Sequence, residues 1–419
     1  ILIEGESEYN LVSGNYISNN GDGINIKYPA NNNSVTDNYL IYNGYGVDLK
    51  SDGQQISGNT ILKNYKGILL DNSIDNKVNN NTMMSNQYYG IEARYSDCEI
   101  KGNNITYNSA SGVFVYFSSG MLTENTINYN NEAGILAYSA FNLKISGNQL
   151  AYNDNDNIQL ETTINSSIIN NDLSKSYRGS GISLRDSTNV FIADNKIIES
   201  SDSGIILIKS SFNNIFFNEI YDSSFGILFR DGSVHNRIYG NNISSNSFYG
   251  IELRSSSYNI IEGNNITENK RGISISDSIY NRIFHNNFIE NVQARDGDTS
   301  TNFWNASYPS GGNYWSDFSP SCPDENSGEI VPQVRGDQDG ICDKPYESGA
   351  EDPDFYPLKE PRFIDYTSHE QDDQTPDDGT EEHEEVETVC NFAVITILVI
   401  IVLIVFLGLI YYLARKSEK

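Results

Sequence analysis

One column of residues in this 419-residue chain has the types and spacing to hold a ligand. Counting three places past the Ile or Val of each repeated Gly-Ile or Gly-Val step gives Lys27, Lys50, Asp71, Arg94, Tyr116, Tyr138, Glu161, Arg185, Ile208, Arg230, Arg254 and Ser276. A neighbouring column, two places earlier, contributes Asp48, Glu92, Phe114 and Glu252. Aromatic rings stack on sugar faces, and flanking guanidinium and carboxylate groups hydrogen-bond hydroxyls. Arg94, Tyr116, Tyr138, Glu161, Arg185, Arg230 and Arg254 are therefore the expected glycan contacts. The plainer reading is a solvated strand face with ion-pair and aromatic ladders. Acid–base chemistry is the alternative. Glycoside hydrolysis uses two carboxylates roughly 5–9.5 Å apart, and Asp48, Asp71 and Glu92 fall on three consecutive repeats. A lyase or epimerase would need a base beside a carboxylate, a part Arg94 or Tyr116 could take. No catalytic signature accompanies these residues, so binding without catalysis is expected.

The column exists because the chain repeats. Residues 90–108 read GIEARYSDCEIKGNNITYN, and residues 250–269 read GIELRSSSYNIIEGNNITEN. A Gly before Ile or Val recurs every 21 to 24 residues from Gly23 to Gly272, with Asn157 once in its place. Because Asn is second to Gly at left-handed backbone angles, this column is expected to mark a left-handed turn before each strand. A stricter column holds thirteen Asn from Asn15 to Asn286, each two places before an apolar residue. Five residues on, a third column is Asn in ten repeats and Ser176, Ser200 and Ser223 in the others.

Fixed periods of this length signal a solenoid. Short alternating runs such as Ile-Glu-Leu-Arg have the period of strands, and Gly and Asn interrupt each repeat too often for helix pairs. The expected fold is all-β: a right-handed parallel β-helix of about thirteen coils over residues 1–291. Stacked Asn side chains would hydrogen-bond along its axis. Each coil needs few apolar side chains, which accounts for a hydrophobic content of only 38%.

The repeats resemble the parallel β-helix units of NosD-like and pectate-lyase-like surface proteins. Residues 302–318, NFWNASYPSGGNYWSDF, and 336–361, GDQDGICDKPYESGAEDPDFYPLKEP, are similar to the module that follows the β-helix in NosD-like proteins of prokaryotic, especially archaeal, cell envelopes. The resemblance implies a capping module over 292–363. It also implies carbohydrate as a ligand class, and it raises copper handling. Copper(I) favours Cys and Met, and copper(II) favours imidazole. The chain offers His235, His285, His369 and His383 with Met83, Met84 and Met121, scattered without a cluster.

Within that module Asp337, Asp339 and Asp343 alternate around Gly340 as in a calcium loop, so calcium is the one cofactor considered. Arg335 falls at the first ligand position, where it cannot ligate, and an acidic turn is the plainer reading. Cys322 and Cys342 are expected to form a disulfide, Cys98 a packed thiol. Asn32, Asn80, Asn104, Asn165, Asn242, Asn265 and Asn305 head N-x-S/T sequons and are candidate glycosylation sites, with Asn104, Asn242 and Asn265 pointed outward by strand alternation.

The remaining chain sets the expected topology. Residues 364–388 form an acidic linker, with eleven Asp and Glu between Asp365 and Glu387. Residues 392–410, FAVITILVIIVLIVFLGLI, hold no charge, and at ~1.5 Å per residue they would cross a ~30 Å hydrocarbon core. A transmembrane helix over 389–414 is expected, followed by a basic tail, 415–419. Arg415, Lys416 and Lys419 would place that tail in the cytoplasm and the rest outside. The chain opens at Ile1 in mid-pattern, as a trimmed N-terminus would. A net charge of −29 argues against nucleic acid as a partner. Glycans, other cell-envelope proteins and the membrane are the partners expected.

Overall fold

The computed structural model describes residues 1–297, 301–307, 309–318, 340–342, 345–346 and 353–364, of which 293–297 only as backbone. These residues belong to one compact unit, Ile1–Tyr366. The apolar run 392–410, the acidic linker and the basic tail lie outside the described residues, among which no helix is long and apolar enough to cross a membrane.

Three parallel sheets of 14, 13 and 14 strands run the length of the repeats. Each coil contributes one strand to each sheet. The first full coil supplies Asp22–Lys27 to sheet 1, Ser34–Thr36 to sheet 2 and Tyr39–Ile41 to sheet 3. Every strand pairs in parallel with its counterpart one coil away, as Ile91 with Val113 or Ile105 with Ile127. The result is the right-handed parallel β-helix of about thirteen coils. Its core is a stack of Ile, Leu and Val: Ile68, Ile91, Val113, Ile135 and Ile158 follow one another in sheet 1, each fully buried.

Polar side chains share that interior. Asn103 shows the pattern of the strict ladder. Its Nδ2 donates to Asn125 Oδ1 at 2.9 Å and to Val78 O at 2.7 Å, and its backbone N–H donates to the same Asn125 oxygen at 2.9 Å. Each rung thus satisfies a buried backbone donor that no strand could reach, and losing a rung would strand groups worth about 1–3 kcal/mol each. The third column repeats the arrangement, with Ser223 Oγ accepting from Ser200 N at 3.2 Å where amides are absent.

A fourth ladder joins Asn213, Asn236, Asn259, Asn281 and Asn302 through amide contacts of 3.0 to 3.2 Å. It carries the same signal, Asn two places before Ile215, Ile238, Ile261 and Ile283. The signal escapes a reading of the whole chain because Cys98, Gly120, Leu143 and Val190 break the column in the middle coils.

The Gly column is glycine for a different reason from the one expected. None of Gly23, Gly46, Gly67 or Gly90 has a positive φ. Here the constraint is space. A Cβ on Gly90 would meet Ile105 Cγ2 at 2.5 Å, Gly112 O at 2.7 Å and Asn108 Nδ2 at 3.0 Å, so a side chain cannot fit between the coils. Left-handed backbone falls instead on the residue before each ladder Asn, for example Asp37, Gly58, Asn80, Glu124 and Phe217. Asn157 replaces a Gly where the neighbouring ladder changes from Asn153 to Ser176: its Oδ1 accepts from Asn153 Nδ2 at 3.0 Å and its Nδ2 donates to Ser174 O at 3.1 Å. It supplies the amide that Ser176 lacks.

The GGNYWSD and DPDFYPL phrases close the rod. Asn313 extends the strict ladder beyond Asn286, whose Nδ2 donates to Asn313 Oδ1 at 3.0 Å. The ladder ends on Asp354, fully buried, which accepts from Asn313 N at 2.8 Å, Trp315 Nε1 at 3.0 Å and Tyr356 N at 3.1 Å. A carboxylate accepts without donating, so it terminates a chain of amides. Burial pushes its carboxyl up to about 6 against the pull of those donors. Trp315 lies between Phe288 and Tyr346, 4.3 Å from each ring, and covers the last coil.

Candidate ligand-binding face

Strand register turns the expected column into a physical stripe on the outside of sheet 1. Asp71 pairs with Arg94, Arg94 with Tyr116, Tyr116 with Tyr138, Tyr138 with Glu161 and Glu161 with Arg185. Ile208 pairs with Arg230, and Arg254 with Ser276. Tyr116 and Tyr138 stack at 5.8 Å. Lys50, Tyr138, Arg185 and Arg254 are exposed, while Asp71, Arg94, Tyr116, Glu161 and Arg230 are half-buried.

The neighbouring column also points away from the core; Phe114 is half-buried, but the column's carboxylates are covered. Asp48 is 3% exposed, Glu92 4% and Glu252 3%. They form a floor, because taller side chains stand on both sides. One wall is the stripe. The other comes from residues just before the Gly column: Tyr45, Lys66, Tyr89, Phe225, Tyr249 and Arg271. Sequence reasoning missed this second wall. Its signal was the residue preceding each Gly, hidden because the Gly and the Ile or Val after it are both buried, which breaks the simple in–out alternation.

Lys66 is the most enclosed cation of the second wall. Its Nζ lies 2.5 Å from Glu92 Oε2, and its side chain is only 12% exposed. The rings of Tyr45, Tyr65, Tyr88 and Tyr89 surround the ammonium at 5.3 to 5.9 Å, within cation–π range. Arg94 bridges two acids, with Nη2 3.0 Å from Asp71 and Nε 3.7 Å from Glu92. Asp48 meets Lys50 at 2.9 Å. Burial raises the Asp48 carboxyl above its usual range although Lys50 opposes the shift, and the bond to Asp48 raises Lys50. The three carboxylates of the catalytic alternative are thus each held by a cation.

The second copy of the phrase makes a different site. Arg254 Nε donates to Glu252 Oε1 at 2.7 Å, and the guanidinium lies 6.0 Å from the Phe225 ring. Phe225 stacks with Tyr249 at 5.8 Å, and Arg271 Nη1 donates to Tyr249 OH at 2.6 Å.

The other expected sites fare unevenly. Asp337, Asp339 and Asp343 lie outside the described residues, and among the described residues no cluster of three or more His, Cys, Asp or Glu could hold a metal. Cys342 is buried and disulfide-bonded, while Cys322 lies outside the described residues. Cys98 is a free, buried thiol that burial pushes up to about 12. The sequon residues Asn32, Asn80, Asn104, Asn165 and Asn242 are exposed, and Asn265 and Asn305 are half-buried.

A family model described as the right handed beta helix region matches residues 1–83 and 66–217, more than half of the chain. The chain belongs to this right-handed β-helix family. A second family model, described as periplasmic copper-binding protein (NosD), matches residues 181–320, the later coils of this β-helix protein and the residues that follow them. No curated protein matches the chain significantly.

Among the solved structures that overlap it are two epimerases and a tailspike protein. The periplasmic alginate epimerase AlgG is 14% identical, with a TM-score of 0.40, over 67% of this chain and 76% of that one. The A-module of the Azotobacter vinelandii mannuronan C-5 epimerase AlgE4 is 12% identical, with a TM-score of 0.44, over 63% and 88%. The Dettilon tailspike protein is 13% identical, with a TM-score of 0.43, over 72% and 63%. The overlap is one of coil architecture and extends no further.

Proposed function

We propose that this β-helix protein is a single-pass, membrane-anchored protein of the cell envelope, whose outward sheet 1 face binds glycans or surface partners without catalysis. The reading is carried by one observation: parallel register aligns rings and cations in a continuous stripe across coil after coil. A polymer with its own repeat can lie along such a stripe and gain several weak contacts at once. Support for the anchor comes from the uncharged run 392–410 and the basic residues after it. Absence of catalysis rests on Asp48, Glu92 and Asp71 being tied to Lys50, Lys66 and Arg94, where a general acid and base would have to be free to trade protons.

The alternative, a membrane-tethered polysaccharide-active enzyme, is favoured by one feature: burial holds Asp48 above the usual carboxylate range, as a general acid requires. A panel of oligosaccharides presented to the full chain in detergent micelles separates the two. Binding without shortened, epimerised or unsaturated products supports the binding module. Turnover abolished by Asp48→Asn, Asp71→Asn or Glu92→Gln would establish the enzyme instead.

A further inference from the structure

Sheet 2 changes character part-way along the rod. Its two outward columns follow strand register, Lys77 to Glu99 to Met121 to Lys144 in one, and Asn79 to Lys101 to Thr123 to Ser146 in the other. These early residues are mostly polar or charged. In the later coils the first column reads Phe191, Asn214, Arg237, Ile260, Arg282 and Phe303, and the second reads Phe216, Tyr239, Glu262 and Phe284. The turn leading into sheet 2 adds a ring per coil at the same height. Phe212, His235, Tyr258 and Tyr280 stack at 5.1 to 5.3 Å along the axis. Each of these rings directly precedes an Asn of the fourth ladder, so the ladder fixes their spacing. Phe212, Tyr258, Tyr280 and Phe303 are exposed, and Phe191, Phe216 and Ile260 are half-buried. A contiguous exposed face of large apolar side chains marks a contact surface.

Charge and side-chain type indicate what covers it. Glu262, the one acid in these columns, is paired with Arg237. Arg282 lies 5.4 Å from the Phe284 ring and has no acid within ion-pair distance among the described residues. These columns are therefore net positive on a chain of net charge −29. Tyr has an apolar body and a polar tip, and guanidinium groups bind phosphate oxygens, a combination suited to the boundary between acyl chains and headgroups. A second copy of the chain would meet this face with the same positive sign. The described residues end at Ile364, and the uncharged run begins at Phe392. Residues 365–391 span at most roughly 90 Å when fully extended, so an anchored chain presents its last coils to the bilayer at high effective concentration. Several weak ring contacts then suffice.

We infer that the sheet 2 face of the coils from Phe191 to Phe303 rests on the headgroup region of a lipid bilayer. The inference rests on the membrane-anchor reading above and adds a second, peripheral contact made by the rod itself. Sheet 1 is another face of the rod and stays open to its ligand.

The test uses the full chain reconstituted into vesicles of phosphatidylcholine and phosphatidylglycerol, brominated near the headgroup end of their acyl chains. Bromine quenches tryptophan on contact, and the signal of Trp304 and Trp315 is subtracted with the unaltered protein. Phe216→Trp and Tyr258→Trp should be quenched at least about twofold more than Phe248→Trp. Phe248 is also exposed and lies in the same coils, on the turn between sheet 3 and sheet 1, so it controls for closeness to the bilayer along the rod. Thermal unfolding of each variant checks folding. Equal quenching of the three, in chain that an alkaline carbonate wash leaves in the vesicles, overturns this inference and leaves the anchor standing. Release of the chain by that wash fells the anchor reading and this inference with it. Light scattering in detergent micelles supplies a further arm: a dimer that Phe216→Ser converts to a monomer assigns the face to a second copy and overturns the lipid contact.

Discussion

Glu92-Ala-Arg94 and Glu252-Leu-Arg254 occupy the same place in coils seven turns apart, each at the end of a sheet 1 strand, Ile91–Arg94 in the first and Tyr249–Arg254 in the second. Around the first, the preceding coil supplies Lys66 and Asp71; around the second it supplies Phe225 and Arg230. Two cations and two acids neutralise each other at the first site. At the second, Arg254 pairs with Glu252 and Arg230 with no described acid, with Arg271 bound to Tyr249 nearby. A repeated phrase therefore does not carry a repeated chemistry. In a stacked coil half of a residue's surroundings come from about 23 residues away in the chain, and the phrase says nothing about those.

The sharpest way to break this comparison is to remove the two glutamates. Glu92→Ala leaves Lys66, nearly enclosed among four tyrosines, without its counter-ion, and should cost about 3–5 kcal/mol. Glu252→Ala frees Arg254, 44% exposed, to turn into water, and should cost about 1 kcal/mol or less. Hydrogen exchange of the two strands, which reports local opening, measures both. Equal losses would mean that the two sites are energetically alike. A smaller effect is expected from exchanging the distinguishing residue. Asp71→Arg places a second guanidinium beside Arg94, removes its partner and should cost about 1–2 kcal/mol, read by the same exchange. The reverse change, Arg230→Asp, gives Arg254 a second acid and should be neutral or slightly stabilising.

Smaller still is the pH effect. The Asp48 carboxyl is raised above its unfolded value of 3.8, so the folded state holds its proton more tightly. The stability this contributes is present at pH below that value and is lost as pH rises through the folded value. Acidifying from pH 7 toward 4 should then slow exchange in Tyr45–Lys50 relative to Arg271–Ser276, where Ser274 stands in the place of Asp48, and Asp48→Asn should flatten the difference. The weakest expected effect lies midway along the stripe. Arg185→Ala breaks an ion pair whose partners are 49% and 26% exposed, and should change stability by under about 0.5 kcal/mol while still lowering glycan affinity.

The architecture was largely legible. Period, alternation and the Asn columns led to coils, sheets and ladders, because each requires the same residue type at the same place in every coil. The stripe was legible for the same reason. The Gly column was found but misread, since sequence shows that Gly is required and not whether φ or space requires it. The floor carboxylates were found by alternation, yet that Asp48 and Glu92 are covered, with Lys50 and Lys66 paired to them, is set by packing. The second wall stayed invisible because two successive buried residues at the Gly column break the alternation.

From the amino-acid sequence alone come the repeat, the fold class, the ladder residues and the order of side chains along each outward column. These depend on local periodicity and on identity repeated at a fixed spacing. Which acids are matched and which cation stands alone was decided only by the stacking of coils. Coulomb energy falls with distance through space, and the sheet brings Arg94 to Asp71, and Arg230 to no acid at all, across a gap the chain crosses only after a full turn.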